Sequence, residues 1–154
     1  MSDEETAIRL SDCRKEDLAT IRKILEEAPE AAMWSEESLG VMVGSVLEPF
    51  VVAWSRDTVA GFILGRIVGS EAEILNLAVE QGFRRTGIAT ELVKTMLERC
   101  EKSGCGRVFL EVRESNRGGI AFYERLGFAQ VGRREGYYRE PVEAALVLQK
   151  EVRK

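Results

Sequence analysis

A chain of 154 residues, 45% apolar and 31% charged, has the composition of one soluble globular domain with length enough to bury a sizeable core. It contains no histidine, which excludes Ser-His-Asp and Cys-His catalytic sets and argues against zinc or facial-triad metal sites, so a general base has to be a carboxylate or, less often, Tyr, Lys or a thiolate. A formal charge of −4 argues against a dedicated nucleic-acid binder, and no apolar run reaches the ~20 residues of a membrane span.

Residues 1–6 are acidic and unlike a signal peptide, so a cytoplasmic protein is expected. Cys13, Cys100 and Cys105 follow no pattern and are read as buried thiols of a reducing compartment. Residues 7–10 form a short strand. Asp12 is placed to cap a helix with Leu18, Ile21, Ile24, Leu25 and Ala28 on its apolar face, stopped by Pro29. Ser35 starts a second helix with Glu36 and Glu37 in its first turn, where negative charge favours the dipole. That helix turns Leu39, Met42, Val43 and Val46 inward and ends before Pro49. Residues 50–54 and 59–68 are strands joined by the hairpin turn Ser55-Arg56-Asp57-Thr58.

A strand over 73–79 then leads through Arg84-Arg85-Thr86-Gly87 into a helix over 87–103. The helix carries two apolar rows, Ile88, Leu92, Met96 and Cys100 beside Ala89, Val93 and Leu97, which merge into one buried stripe. A strand, a short polar turn and a helix start form an anion site. The first helical turn has unpaired N–H groups, the macrodipole adds positive charge, Gly87 admits a ligand close to the backbone, and the arginines charge the rim. A plain strand-to-helix turn with solvated arginines fits the same residues. Gly104 suits a left-handed helix end. Residues 107–113 form a strand, Asn116 starts a fourth helix ending at 126–127, and strands over 128–138 and 144–150 follow, with 151–154 frayed. The order β-α-α-β-β-β-α-β-α-β-β, with hairpins flanking helical crossovers, predicts a mixed sheet of class α/β or α+β in a single domain over 1–154.

Within 107–113, Phe109, Glu111 and Arg113 share one face and Val108, Leu110 and Val112 the other. A mid-strand carboxylate is unusual. Glu111 is either an exposed neighbour of Arg113 or a general base whose pKa is raised by partial burial. Asn116 is an N-cap or a ligand contact. Tyr123, two helical turns on, is either a core tyrosine or an acid able to protonate a leaving group.

Taken together, these residues resemble the GNAT superfamily of N-acetyltransferases over nearly the whole chain. The signature Arg/Gln-x-x-Gly-x-Gly/Ala stands as Arg84-Arg85-Thr86-Gly87-Ile88-Ala89, and Asn-x-x-Ala-x-x-x-Tyr-x-x-x-Gly-Phe stands as Asn116 through Tyr123 to Gly127-Phe128, with Gly119 in place of the usual Ala. The resemblance implies a GNAT fold: a mixed, mostly antiparallel sheet of about seven strands with about four helices, splayed between the fourth and fifth strands. It implies that Arg84, Arg85, Thr86, Gly87, Ile88, Ala89 and Thr90 hold the pyrophosphate of acetyl-CoA. It further implies that the backbone of Asn76, Leu77, Ala78 and Val79 pairs with the pantetheine arm, with Asn116 and Tyr123 also at the cofactor and no metal.

Within the superfamily, Leu110-Glu111-Val112-Arg113-x-Ser115-Asn116, Trp34-Ser35-Glu36 and Tyr137-Tyr138 most resemble the protein N-terminal acetyltransferases, both the ribosomal-protein-alanine (RimI-type) enzymes and their archaeal relatives. Met33 replaces a usual Pro, and Glu143 is followed by Ala144 where an acidic pair is usual. The implied reaction is direct transfer in a ternary complex. Glu111 is the base, Tyr123 the acid, a backbone N–H at Leu77 or Val79 polarises the thioester carbonyl, and Glu73 is a rival base. Trp34, Asn76, Tyr137 and Tyr138 are expected at the acceptor. The expected partners are acetyl-CoA and an acceptor amine, foremost a protein N-terminus, with no nucleic acid or membrane partner and a monomer or weak dimer. A small-amine acetyltransferase and a non-catalytic acyl-CoA sensor are the alternatives.

Overall fold

The structure, a computed structural model, describes residues 8–28, 31, 34–84 and 86–152. In chain order its elements are β1 (Ile8–Asp12), α1 (Leu18–Glu26), α2 (Glu36–Met42), β2 (Phe50–Ser55), β3 (Thr58–Val68), β4 (Glu71–Val79), α3 (Ile88–Lys102), β5 (Arg107–Arg113), α4 (Arg117–Arg125), β6 (Ala129–Tyr138) and β7 (Glu143–Glu151). Short 3-10 turns over Lys15–Asp17 and Gln81–Phe83 precede α1 and α3. The element order is the one the sequence predicts.

The seven strands lie in the order β1-β2-β3-β4-β5-β7-β6. Every neighbouring pair is antiparallel except β4 and β5, which the α3 crossover makes parallel. That pair is short. It runs from Glu71 opposite Arg107 to Ile74 opposite Leu110 and then stops, although both strands continue. The two diverge from that point, which is the expected splay.

A bulge in β4 accompanies the divergence. Leu64 pairs with Asn76 and Gly65 with Ile74, so Leu75 is the extra residue. One inserted residue reverses the alternation of faces. Ala72 and Ile74 join the apolar cluster under α3 and α4, and beyond the bulge Leu77 and Val79 return to that same side, whereas Leu75 and Ala78 pack into the second cluster, under α1 and α2. Ile88, Leu92, Val93, Met96 and Cys100 of α3 are buried against the first cluster. Truncating Leu92, with no exposed surface, to Ala costs about 2–5 kcal/mol. No helix among the described residues is long and apolar enough to cross a membrane.

Several boundaries differ from expectation. Asp12 does not cap a helix. It ends β1 opposite Val51 and forms an ion pair with Arg99 at 2.6 Å, because Cys13 N–H still donates to Phe50 C=O and keeps the chain extended. Asp17 takes the local role instead, accepting from Arg14 N–H at 2.9 Å. Ser35 does cap α2, accepting from Ser38 N–H, but the helix ends at Met42. Gly44 adopts φ +82° just beyond and turns the chain, so Val46 is 86% exposed rather than inward. The C-terminal segment is not frayed through its first two residues: Glu151 belongs to β7, and Val152 is buried with its N–H donating to Gly106 C=O. Ala7, Pro29, Met33 and Arg85 lie outside the described residues.

Candidate active site

The turn between β4 and α3 has the geometry of an anion site. Gly87 occupies the N-cap position with φ +88°, and no side chain caps the helix. Its carbonyl accepts from Glu91 N–H at 3.1 Å, which leaves the amides of the first turn, Ile88, Ala89 and Thr90, aimed out of the helix end. A Cβ built at Gly87 meets nothing within 4 Å, so the space in front of these amides is open. Thr86 donates its hydroxyl to Phe83 C=O, and Arg84 is exposed with Nε 3.4 Å from Val79 C=O.

Past Ile74, β4 presents a free edge towards β5. Glu80 N–H bonds Ala60 C=O at 2.7 Å, and antiparallel alternation then turns the amides of Ala78 and Asn76 towards β3 and those of Leu77 and Val79 into the gap. The side chain of buried Asn76 narrows the choice of donor, because its Oδ1 accepts Leu77 N–H at 3.0 Å. Val79 N–H remains as the amide facing the gap.

Glu111 sits where the strands part, the first β5 residue beyond the last β4 pairing. Its side chain points away from buried Leu110 and Val112 into a cavity of about 340 Å³ lined also by Arg66, Glu73, Phe109, Arg134 and Val147. Tyr137 donates its hydroxyl to Glu111 Oε1 at 3.1 Å. Arg134 Nε forms an ion pair with the buried Oε2 at 3.0 Å. Glu73 faces the same cavity. Burial first, and then the Glu111 carboxylate, hold its pKa above the ordinary value, against the opposing pull of Arg66 and Arg134.

Tyr123 stands on the other side of the sheet. It is buried among the α3 and α4 side chains, with Phe122 and Phe128 packed edge-on at 5.0 and 5.4 Å. Burial pushes its phenol well above the ordinary pKa, so the group is a neutral O–H. Glu111 and Tyr123 therefore occupy opposite faces of the sheet.

Asn116 caps α4 by accepting Gly119 N–H at 2.9 Å; its side chain fills the space that a methyl group at Gly119 would need, 2.6 Å from Nδ2. Tyr138 packs under the Arg113 guanidinium at 4.3 Å, and burial with the nearby Glu111 charge pushes it up to about 12. Trp34 packs into the cluster under α1 and α2.

Three features of the site escaped sequence reasoning. Arg134 and Arg66 line the cavity from strands whose register shifts hide them from an alternation pattern. Glu143 bridges Arg113 at 3.0 Å and accepts both the N–H and the hydroxyl of Ser115, tying the β5–α4 turn to the last hairpin. Those bonds, the Arg113 one foremost, lower the pKa of Glu143. The Arg113-x-Ser115 spacing was the visible trace of this junction.

Residues 15–128 match the family described as acetyltransferase (GNAT) family. The [ribosomal protein bS18]-alanine N-acetyltransferase of Escherichia coli (strain K12) is 32% identical over 114 residues, covering 74% of this chain and 76% of that protein. The crystal structure of the ribosomal-protein-S18-alanine N-acetyltransferase from Escherichia coli superposes with a TM-score of 0.85 at 27% identity, over 96% of each chain. Ard1 from Thermoplasma volcanium also gives 0.85, at 25% identity over 95% of this chain and 98% of that one. This chain belongs to the GNAT acetyltransferase family and is an acetyl-CoA-dependent N-acetyltransferase.

Proposed function

From that membership we propose that the acceptor is the N-terminal α-amine of a protein, with Glu111 as general base and Tyr123 as general acid. One observation carries the assignment: Glu111 is the first β5 residue beyond the last β4 pairing, with its carboxylate in the cavity and held by Tyr137 and Arg134. Bound acetyl-CoA supplies a thioester carbonyl open to attack by an amine.

The residues of this chain do the rest. The open amides of Ile88, Ala89 and Thr90, with Arg84, Thr86 and Gly87 around them, would hold the diphosphate. The free edge of β4 would pair with the pantetheine arm beside Asn76, Leu77, Ala78 and Val79, and Val79 N–H would be the donor to the oxygen that gains charge. Asn116 and Tyr123 close the far side of the gap. Glu111 takes the proton of the attacking amine, Tyr137 and Arg134 hold that carboxylate in place, and Tyr123 keeps a proton ready for the departing sulfur. The cavity supports a peptide rather than an enclosed small molecule, since Val68 in its lining is 70% exposed. Tyr138 and Trp34 belong to the walls flanking the acceptor.

The test is thiol release from acetyl-CoA with a panel of N-terminal peptides and small amines. Turnover is expected with peptides above all. Turnover confined to small amines overturns the protein acceptor, and cofactor binding without any turnover overturns catalysis.

A further inference from the structure

Charge pairing around the cavity is uneven. Arg66 is held by Glu48, with Nη2 and Nε 2.8 and 3.1 Å from one carboxylate oxygen. Arg134 lies on Glu111, and Glu71 is 3.9 Å from Arg107. Glu73 alone among the ionised groups lining this cavity has no ion-pair partner within 4 Å among the described residues. It stands opposite Phe109, and Glu111 is the next residue along β5 on that face. Same-face neighbours on a strand are about 7 Å apart. An amine that reaches Glu111 therefore has Glu73 beside whatever follows it, one side-chain step back from the parting strands.

The rest of the cavity matches a particular kind of follower. At about 340 Å³ it is near the lower limit of ligand pockets, with room for a side chain behind the reacting amine. Val68, Phe109 and Val147 give it apolar walls suited to a methylene stem, and Glu73 gives it a carboxylate that, with Arg66 opposite it on β3 held by Glu48, forms no ion pair within 4 Å among the described residues.

We infer that Glu73 is a specificity-determining residue that selects acceptors carrying a second positive charge, borne on a short apolar stem behind the reacting amine. The inference rests on the N-acetyltransfer reading of the site. The chemistry has two sources, a lysine or arginine next to a protein N-terminus or the second amine of a free diamine. Glu111, already engaged by Arg134 and Tyr137, acts on the reacting amine, and Glu73 holds the charge that trails it.

The experiment compares otherwise identical peptides with Arg, Lys, Gln or Glu at the second position, together with a linear diamine and its monoamine analogue. Each is assayed by thiol release with the wild-type enzyme, Glu73→Gln and Glu73→Asp. In the wild type, the basic peptides are expected to exceed the Gln peptide by about tenfold in kcat/KM, chiefly through KM, and the Glu peptide to fall below it. In Glu73→Gln the basic-to-neutral ratio should collapse towards one, and Glu73→Asp should restore part of it. Basic-to-neutral selectivity unchanged in Glu73→Gln overturns the inference. So does an equal loss of kcat with every acceptor, which makes Glu73 a base. A diamine preferred over all peptides, with that preference lost in Glu73→Gln, sustains the role of Glu73 and displaces the protein acceptor.

Discussion

The Tyr137 hydroxyl reaches from the last hairpin to Glu111 Oε1 at 3.1 Å, so one strand's carboxylate is oriented by a residue 26 positions later in the chain. Arg134 Nε, 3.0 Å from the other oxygen, holds the second side of the carboxylate. Glu111→Gln keeps the shape and removes the basicity. It should lower kcat by about 10²–10⁴-fold while leaving the acetyl-CoA Kd within about twofold, measured by steady-state kinetics beside calorimetry. A larger loss in Glu73→Gln would exchange the two roles. Tyr137→Phe removes a donor to a charged acceptor and should cost on the order of tenfold in kcat.

Tyr123 is buried between Phe122 and Phe128, so Tyr123→Phe preserves those ring contacts. Melting temperature and acetyl-CoA affinity should hold, while kcat falls by about 10²-fold or more through loss of the phenol proton. Unchanged kcat would remove Tyr123 from the acid role.

Gly87 and Gly104 form a matched pair for testing the anion site. Both have positive φ, +88° and +92°, and a Cβ at either meets nothing within 4 Å. Alanine at each should cost about 1–2 kcal/mol of stability from backbone strain alone. Only Gly87→Ala should also weaken acetyl-CoA binding, by about tenfold or more in calorimetry, because only that position faces the proposed diphosphate. Equal affinities in the two variants would refute the site.

Glu143 and Glu73 should respond to pH with opposite signs. Bonds from Arg113 and Ser115 lower the folded pKa of Glu143, so its contribution to stability is present above the ordinary carboxylate range and disappears as pH falls through the lowered value. Glu143→Gln should therefore lower Tm at neutral pH, with the gap closing in acid. Burial and Glu111 raise the pKa of Glu73, so the folded state favours its neutral form below the ordinary range and loses that preference as pH rises through the raised value. Glu73→Gln should hold or raise Tm at neutral pH, as thermal melts across pH would show.

The pH dependence of acceptor choice follows from the same shift. Glu111 from β5, Arg66 from β3, Arg134 and Tyr137 from the last hairpin, and Glu71 from its own strand surround Glu73 or its cavity. Lowering the pH protonates Glu73 before an ordinary glutamate, so the preference for doubly cationic acceptors should fade while that of Glu73→Gln stays flat. The kcat/KM ratio of basic to neutral peptides against pH measures it.

What the sequence determined by itself is whatever is local and periodic. The Ile88–Lys102 stripe, the alternation along β5, the Asn116 cap and the glycine before α3 all have causes within a few residues, and each stands where its spacing put it. The histidine-free composition by itself leaves carboxylates as the foremost candidates for a base. Helix ends were less legible, because Gly44 cut α2 short against an apolar pattern that continued to Val46. Only the tertiary structure decided that Glu73 has no ion pair within 4 Å among the described residues while Arg66 and Arg134 have theirs, and that Glu143 ties the β5–α4 turn to the last hairpin. These facts depend on strand register, and one extra residue at Leu75 or a shift in β6 moves a side chain to the other face of the sheet. Such a step alters no local pattern, which is why it could not be read before the strands were paired.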